Sequence, residues 1–205
     1  MASAAVIDHP SADKEAQILA GAEAVFTRDG YGGASMSRIA AEAQVSKGTL
    51  YNYFTSKAAL FETFIHRKCE TVIRPSLDDD ESALPPHEVL RQFGRRLVRM
   101  LVSETGLTIY RVVLAESVRF PELAQIFYAA GPGRGLPHVA RLLEAASLGG
   151  DDPRFASEQL LALMQTEIVT KRRLGLLDAV SDEEIGRVVD MALRVFQDAA
   201  AARHS

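Results

Sequence analysis

Apolar residues recur at three- and four-residue intervals along most of this chain, the spacing of one-sided helices. Ile18, Leu19, Ala22, Val25 and Phe26 mark the first helix, over 13–29, with Ser11 or Asp13 as cap and Gly30 as stop. Ser35 opens a short second helix over 36–43, whose inner face is Met36, Ile39, Ala40 and Ala43. Ser46 opens a third over 47–54, with Leu50 and Phe54 inward at i and i+4. A fourth begins at Ser56, buries Leu60, Phe61, Phe64 and Ile65, and runs to Arg74, where Pro75 ends it. Beyond an acidic loop at 76–85, Pro86 opens a fifth helix to 104. Shorter segments follow at 107–118, 121–130 and 136–147, the last opening at Pro137, with Phe120-Pro121, Gly131-Pro132-Gly133 and Gly149-Gly150 as breakers. Two longer ones close the chain, 153–174 and 182–203; Ser181 and Glu184 form a capping box for the last. No segment alternates polar and apolar residues as a half-buried strand does. The pattern predicts an all-α protein of nine or ten helices, without internal repeats.

Composition narrows what such a protein does. Across 205 residues, 47% are hydrophobic and 24% charged, ordinary for a globular chain. The net charge of -4 argues against a general nucleic-acid coat and leaves room for a site-specific binder with its positive charge on one edge. Between Ser35 and Lys57 the basic residues are Arg38, Lys47 and Lys57, and Glu42 is the only acid; acids gather elsewhere, as in Asp78-Asp79-Asp80-Glu81. A single cysteine, Cys69, cannot form an internal disulfide, which fits a reducing compartment. The first ten residues lack the features of a secretory signal, and no apolar run approaches the roughly 20 residues of a membrane helix. A cytoplasmic protein with no membrane partner is expected. The histidines (His9, His66, His87, His138, His204) show no metal-ligand spacing, and neither a phosphate loop nor a nucleophile motif occurs. No catalytic residue, metal or cofactor is expected; an acid–base pair of Glu116 and Glu167 is the one enzymatic alternative and has no supporting motif.

Groove reading needs a short helix that protrudes and is braced from behind. Ile39, Ala40, Val45, Leu50 and Phe54 supply a brace, and small Ala40 and Ala43 permit close approach to the first helix. The outer face of the third helix is then Lys47, Gly48, Thr49, Tyr51, Asn52 and Tyr53. Gly48 brings backbone toward a duplex without a Cβ. Helix starts near Ser35, Ser46 and Ser56 aim free N–H groups at phosphate, and Lys57 adds a full charge to the last. Geometry alone leaves two possibilities, a helix-turn-helix that holds DNA or a helical hairpin inside an ordinary bundle.

Residues 14–60 resemble the N-terminal domain of the TetR/AcrR family of transcriptional regulators. The carriers are AVFTRDGY, then S-x-x-x-IAAEA, then VSKGTLYNYFTSKAAL, together about a quarter of the chain. AESVRFPELAQIFY is also reminiscent of the AcrR-like branch. One departure is Gln44, where the family usually has Gly in the turn; at positive φ it costs about 1 kcal/mol. The resemblance implies a helix-turn-helix domain over 13–56, after a disordered tail at 1–12, and a ligand-binding and dimerisation domain over 57–205. It implies that Lys47, Thr49, Tyr51, Tyr53 and Lys57 contact operator DNA, with Ser35 or Ser37 at the start of the second helix. Lys57, Tyr53 and Ser37 are expected on phosphate and Lys47, Gly48 and Tyr51 on base edges, with Ser46 as cap and Asn52 in site choice.

In the remaining three quarters, the resemblance implies a homodimer through the two C-terminal helices, matching a palindromic operator, and a small, often hydrophobic effector. In the last helix Ile185, Val188, Val189, Ala192, Val195, Phe196 and Ala199 recur at three- and four-residue spacing, and the one before it is apolar around much of its circumference, with Leu160, Leu161, Leu163, Met164, Ile168 and Val169; the alternative is that the two only close the core of a single chain. Polar residues set among apolar ones suggest a pocket lined by Phe93, Met100, Tyr110, Glu116, Phe120, Phe127, Met164 and Glu167. The expected function is a ligand-responsive, sequence-specific repressor; the alternative is a helical small-molecule binding protein that does not touch DNA.

Overall fold

The computed structural model describes residues 11–74 and 84–203. Their helices are α1 (Ala12–Gly33), α2 (Met36–Glu42), α3 (Lys47–Tyr53), α4 (Lys57–Ile73), α5 (Pro86–Val102), α6 (Glu104–Glu116), α7 (Pro121–Ala130), α8 (Pro132–Ala145), α9 (Pro153–Met164), α10 (Glu167–Arg173) and α11 (Asp182–Arg203). No strand occurs among the described residues. The expected tail at 1–12, apart from Ser11 and Ala12, and most of the acidic loop at 76–85 lie outside them.

Serine caps start the first four helices as the sequence predicts. The side chains of Ser11, Ser35, Ser46 and Ser56 accept from the backbone N–H groups of Lys14, Arg38, Thr49 and Ala59. Ser181 and Glu184 close a reciprocal box, Ser181 N–H donating to Glu184 Oε2 at 2.8 Å and Glu184 N–H to Ser181 Oγ at 3.2 Å.

Three boundaries differ from expectation. Gly30 takes a positive φ of 68°, but only kinks α1, which resumes for one more turn to Gly33. The Gly131-Pro132-Gly133 breaker starts α8, with Pro132 at the first helical position, where a missing N–H costs nothing; Pro137 therefore falls inside the helix. The predicted helix over 153–174 divides at Gln165 and Thr166. Gln165 Nε2 donates to Leu161 O at 3.2 Å and Thr166 Oγ1 to Leu163 O at 2.8 Å, so side chains compete for carbonyls that the helical ladder would use.

Two apolar clusters organise the molecule. The first joins Ile18, Val25 and Phe26 of α1 to Ile39 of α2, Leu50 of α3 and Leu60, Phe61, Phe64 and Ile65 of α4, and continues into Ile109 and Val113 of α6 and Leu123 of α7. The second joins Val72 and Ile73 of α4 to Leu90, Phe93 and Val98 of α5, Val139 and Leu143 of α8, Leu160 and Met164 of α9, Val169 of α10 and Ile185, Val189 and Phe196 of α11. Helix α4 thus has one end in each. Close approach of α1 and α2 rests on Gly21, where a Cβ would lie 2.7 Å from Ala43 Cβ; beside it Gln17 Nε2 donates to Ala43 O at 2.7 Å.

The body is pinned by Arg172, buried on α10. Its guanidinium donates to Val102 O (3.2 Å), Leu177 O (2.7 Å) and Glu104 Oε1 (2.6 Å), so its charge is paired and each of its three nitrogens donates.

Candidate nucleic-acid interface

Helix α3 is held from behind by Leu50, fully buried, and Phe54, buried at its end. A helix of seven residues with these two anchors must turn its other face out. Lys47, Gly48, Tyr51 and Asn52 are exposed, while Thr49 and Tyr53 are half-buried. Tyr51 leaves 52% of its surface in solvent, a large share for an aromatic side chain with a packed core beneath it.

The turn into α3 has a backbone reason. Gln44 sits at φ 53°, its N–H donates to Ala41 O at 3.1 Å, and Val45 N–H donates to Ala40 O at 2.9 Å. This pair of bonds is a Schellman closure of α2, which requires a left-handed residue where Gln44 stands. Val45 then packs against the first cluster and sets the angle of α3.

Several polar groups of this surface have local duties. Ser46 Oγ accepts from Thr49 N–H at 2.9 Å and lies 2.8 Å from Thr49 Oγ1. Tyr53 Oη accepts from Ser11 N–H at 2.7 Å, tying the end of α3 to the start of α1 and leaving its own proton to donate. Arg28 pairs with Asp29 at 3.1 Å and Glu42 at 2.9 Å, and Arg38 pairs with Asp29 at 3.2 Å. Lys47 is exposed, and no hydrogen bond or ion pair engages it among the described residues. The positive edge is therefore Lys47 and the N-terminus of α3, narrower than the count of basic residues suggests. Ser35 and Ser37 lie exposed at the start of α2, beside it in the chain.

Lys57, expected on phosphate, is half-buried and turned toward the end of α1. Its Nζ donates to Tyr31 O at 2.6 Å and Ala34 O at 3.0 Å and sits 4.2 Å from the centroid of the Tyr31 ring. Burial pushes this ammonium below its usual range, an effect the charge of Glu116 opposes. The reason is local: α1 ends in carbonyls that need donors, and Lys57 reaches those of Tyr31 and Ala34 while Arg38 Nη1 reaches that of Gly33 at 3.4 Å.

The residues expected to line a single pocket are dispersed. Phe93 and Met164 belong to the second cluster; Phe120 and Phe127 pack on the first. Tyr110 lies beneath Arg173, whose guanidinium carbon is 3.9 Å from the ring centroid. Glu167 is exposed and pairs with Lys171 at 2.8 Å. Glu116 reaches back to the end of α1, where Tyr31 N–H donates to its Oε1 at 2.6 Å and Gly32 N–H to its Oε2 at 2.5 Å. Neither partner of Glu116 is legible in the sequence: glycines flank Tyr31, but no local pattern links them to an acid so far along the chain. Helical periodicity cannot say which of several helices a side chain will meet.

Two open grooves flank α4. One of about 580 Å³ lies between α1 and α4, floored by Ala16, Leu19, Ala20 and Phe64. The other, of about 340 Å³, lies between α4, α5 and α6, where Val72, Met100 and Ile109 are rimmed by Lys68, Arg96 and Arg99. Met100 alone of the expected pocket residues lines either groove. Cys69 is half-buried, and burial pushes its thiol up to about 11, a poorly reactive state. Among the described residues no helix is long and apolar enough to cross a membrane, and no cluster of potential metal ligands occurs.

Comparison with known proteins adds to this geometry. Residues 18–64 match the family model of bacterial regulatory proteins, tetR family, and residues 88–201 match that of the AefR-like transcriptional repressor, C-terminal domain. An uncharacterized HTH-type transcriptional regulator of Mycobacterium tuberculosis is 33% identical over 145 residues, 67% of this chain and 64% of that protein. The chain spans less than two thirds of the length of the curated relatives it matches, 46% for a Haemophilus influenzae regulator. A solved flavonoid-responsive regulator superposes with a TM-score of 0.70 at 33% identity, covering 92% of this chain and 97% of that one. A TetR family transcriptional regulator from Pseudomonas syringae superposes with a TM-score of 0.66 at 27% identity, covering 91% and 96%.

Proposed function

This chain belongs to the TetR family of bacterial transcriptional regulators, DNA-binding proteins rather than enzymes, and from that premise we propose that it is a cytoplasmic homodimeric repressor, released from a palindromic operator by a small hydrophobic effector. The observation that carries this proposal is the outer face of α3, where Lys47, Gly48, Tyr51 and Asn52 stand in solvent above a rigid apolar brace. Lys47, Gly48 and Tyr51 approach base edges, and Asn52 contributes to the choice of site. Ser37 and the free proton of Tyr53 hold flanking phosphates, while Ser35 and Ser46 keep the helix starts aimed at the duplex.

Dimerisation is supported by α11, apolar on two sides. Ile185, Val189, Ala192, Leu193 and Phe196 face the core, yet Met191 and Val195 are exposed at 63% and 53%. A second copy covering that outer stripe, together with the helix pair before it, sets two reading heads about 34–36 Å apart. A small-molecule effector is supported by the flavonoid-responsive relative, and the groove between α4, α5 and α6 has the size and apolar floor of a ligand seat. Because α4 enters both clusters, over a span of about 18 Å from Leu60 to Val72, a ligand that fits one tilt of α4 better shifts the heads by no more than its affinity difference between the two tilts.

Selection of bound duplexes from a random-sequence pool, followed by titration, tests the proposal. A palindrome is expected, with Lys47→Ala and Tyr51→Ala each weakening binding about 5- to 100-fold. A folded protein that takes up a ligand but retains no duplex would instead be a helical carrier.

A further inference from the structure

We propose that Glu116 is a positioning residue for operator recognition, its carboxylate clamping the end of α1 and thereby fixing the angle of the reading head on the body. The proposal rests on the DNA-binding role given above. Both oxygens are engaged, Oε1 by Tyr31 N–H at 2.6 Å and Oε2 by Gly32 N–H at 2.5 Å. The backbone is shaped to receive them. Gly30 turns the chain at φ 68°, and a Cβ there would stand 2.6 Å from Oε1; a Cβ on Gly32 would stand 2.7 Å from Oε2. Side chains at either position would evict the carboxylate, so the two glycines form the walls of its cradle.

The same short segment is gripped from its other side. Lys57, the first residue of α4, donates to the carbonyls of Tyr31 at 2.6 Å and Ala34 at 3.0 Å. Carboxylate on the N–H groups and ammonium on the carbonyls leave the peptide little freedom to rotate. Phe120, one turn beyond Glu116, adds an edge contact to the Tyr31 ring at 5.3 Å between centroids. Directly after Ala34 comes Ser35, the cap of α2, so the clamp lies immediately upstream of the groove-reading pair.

Glu116 is also the last residue of α6, where a negative charge opposes the helix dipole. Its own helix gives it no electrostatic reason to be there; the donors of α1 do. The other end of α6 lines the groove between α4, α5 and α6 through Thr105, Gly106 and Ile109. From Thr105 to Glu116 is about 16 Å along the axis. An occupant of that groove and the clamp on the head therefore act on one rigid rod.

Two variants approach the contact from opposite sides. Glu116→Gln keeps the shape and loses one acceptor; Gly32→Ala keeps the acid and fills the cradle, at a glycine without a left-handed φ. Hydrogen exchange in Glu116→Gln is expected to quicken about tenfold at the amides of Tyr31 and Gly32 but not in α5 or α11; unchanged exchange at those two amides overturns the clamp whatever the protein does with DNA. The second measurement uses the duplex that the unmodified protein selects and a copy lengthened by one central base pair, which moves one half-site by about 3.4 Å and rotates it. The unmodified protein is expected to lose about tenfold or more on the longer duplex. Each variant, and their combination, is expected to discriminate between the two by no more than about twofold, since a loose head adapts to either. Variants that keep the original ratio, even with a lowered melting temperature, would reduce Glu116 to a structural contact. Failure of the unmodified protein to select any duplex ends the repressor assignment as well, while the exchange result still reports on the clamp itself.

Discussion

Gln44 occupies the α2–α3 turn at φ 53°, a conformation that costs an L-residue about 1–2 kcal/mol. Glycine would relieve that strain and give back part of the gain through a freer unfolded chain. Gln44→Gly is therefore expected to stabilise the protein by about 0.5–1 kcal/mol, read as a higher urea midpoint at unchanged slope. A Gln44→Val substitution should lower the midpoint. The same scale separates the two lysines of the head. Lys47 projects from the first turn of a helix whose opposite face is buried, so its exposure follows from local pattern. Lys57 occupies an equivalent first-turn position in α4 but lies beside a chain end rich in carbonyls, and folds inward to them.

Helix α1 is held to the body by charged contacts as well as by its apolar face: besides the clamp at its end, Glu15 pairs with Arg67 of α4 at 2.7 Å, and Glu23 joins both α4 and α6. Lys68 of α4 donates to Glu23 Oε2 at 2.8 Å, and Thr105 of α6 donates to Glu23 Oε1 at 2.5 Å. Burial acts to raise the Glu23 carboxyl, but the hydrogen bonds from Lys68 and Thr105 and the Lys68 charge outweigh it and hold it below its ordinary 4.5. A carboxyl depressed by folding lends stability that is present above pH 4.5 and is lost as pH falls through the lower folded value. Glu23→Gln is expected to destabilise at neutral pH and to match the unmodified protein increasingly closely below pH 4.5, measured by denaturant unfolding across that window. Convergence toward high pH would contradict the sign. The elements themselves were largely legible beforehand: caps, breakers and three-four spacing located all the long helices. The exceptions at Gly30, Pro132 and Gln165 each turn on a local detail: a glycine at positive φ kinks α1 without ending it, a proline fits the first helical position of α8, and the side chains of Gln165 and Thr166 take carbonyls from the ladder.

As a whole molecule the chain presents a helix, α11, with more apolar surface than its own core covers. Met191→Glu combined with Val195→Glu is expected to turn a dimer into a monomer in sedimentation velocity, raising the dimer dissociation constant about 100-fold or more, with helicity retained. Operator affinity should fall with it, since each head alone keeps only half the contacts. A variant that stays dimeric would move the seam elsewhere. Taken by itself, the sequence determined the helical class, the serine caps, the buried spine of the head and the family, because these depend on residues three to five apart or on one contiguous motif. Tertiary structure alone decided that Lys57 and Glu116 grip the end of α1, that Tyr110 lies under Arg173, and that the expected pocket residues part company between two cores. Those pairings join residues 23 to 85 positions apart, and a one-sided helix specifies only that a face is buried, never what it is buried against.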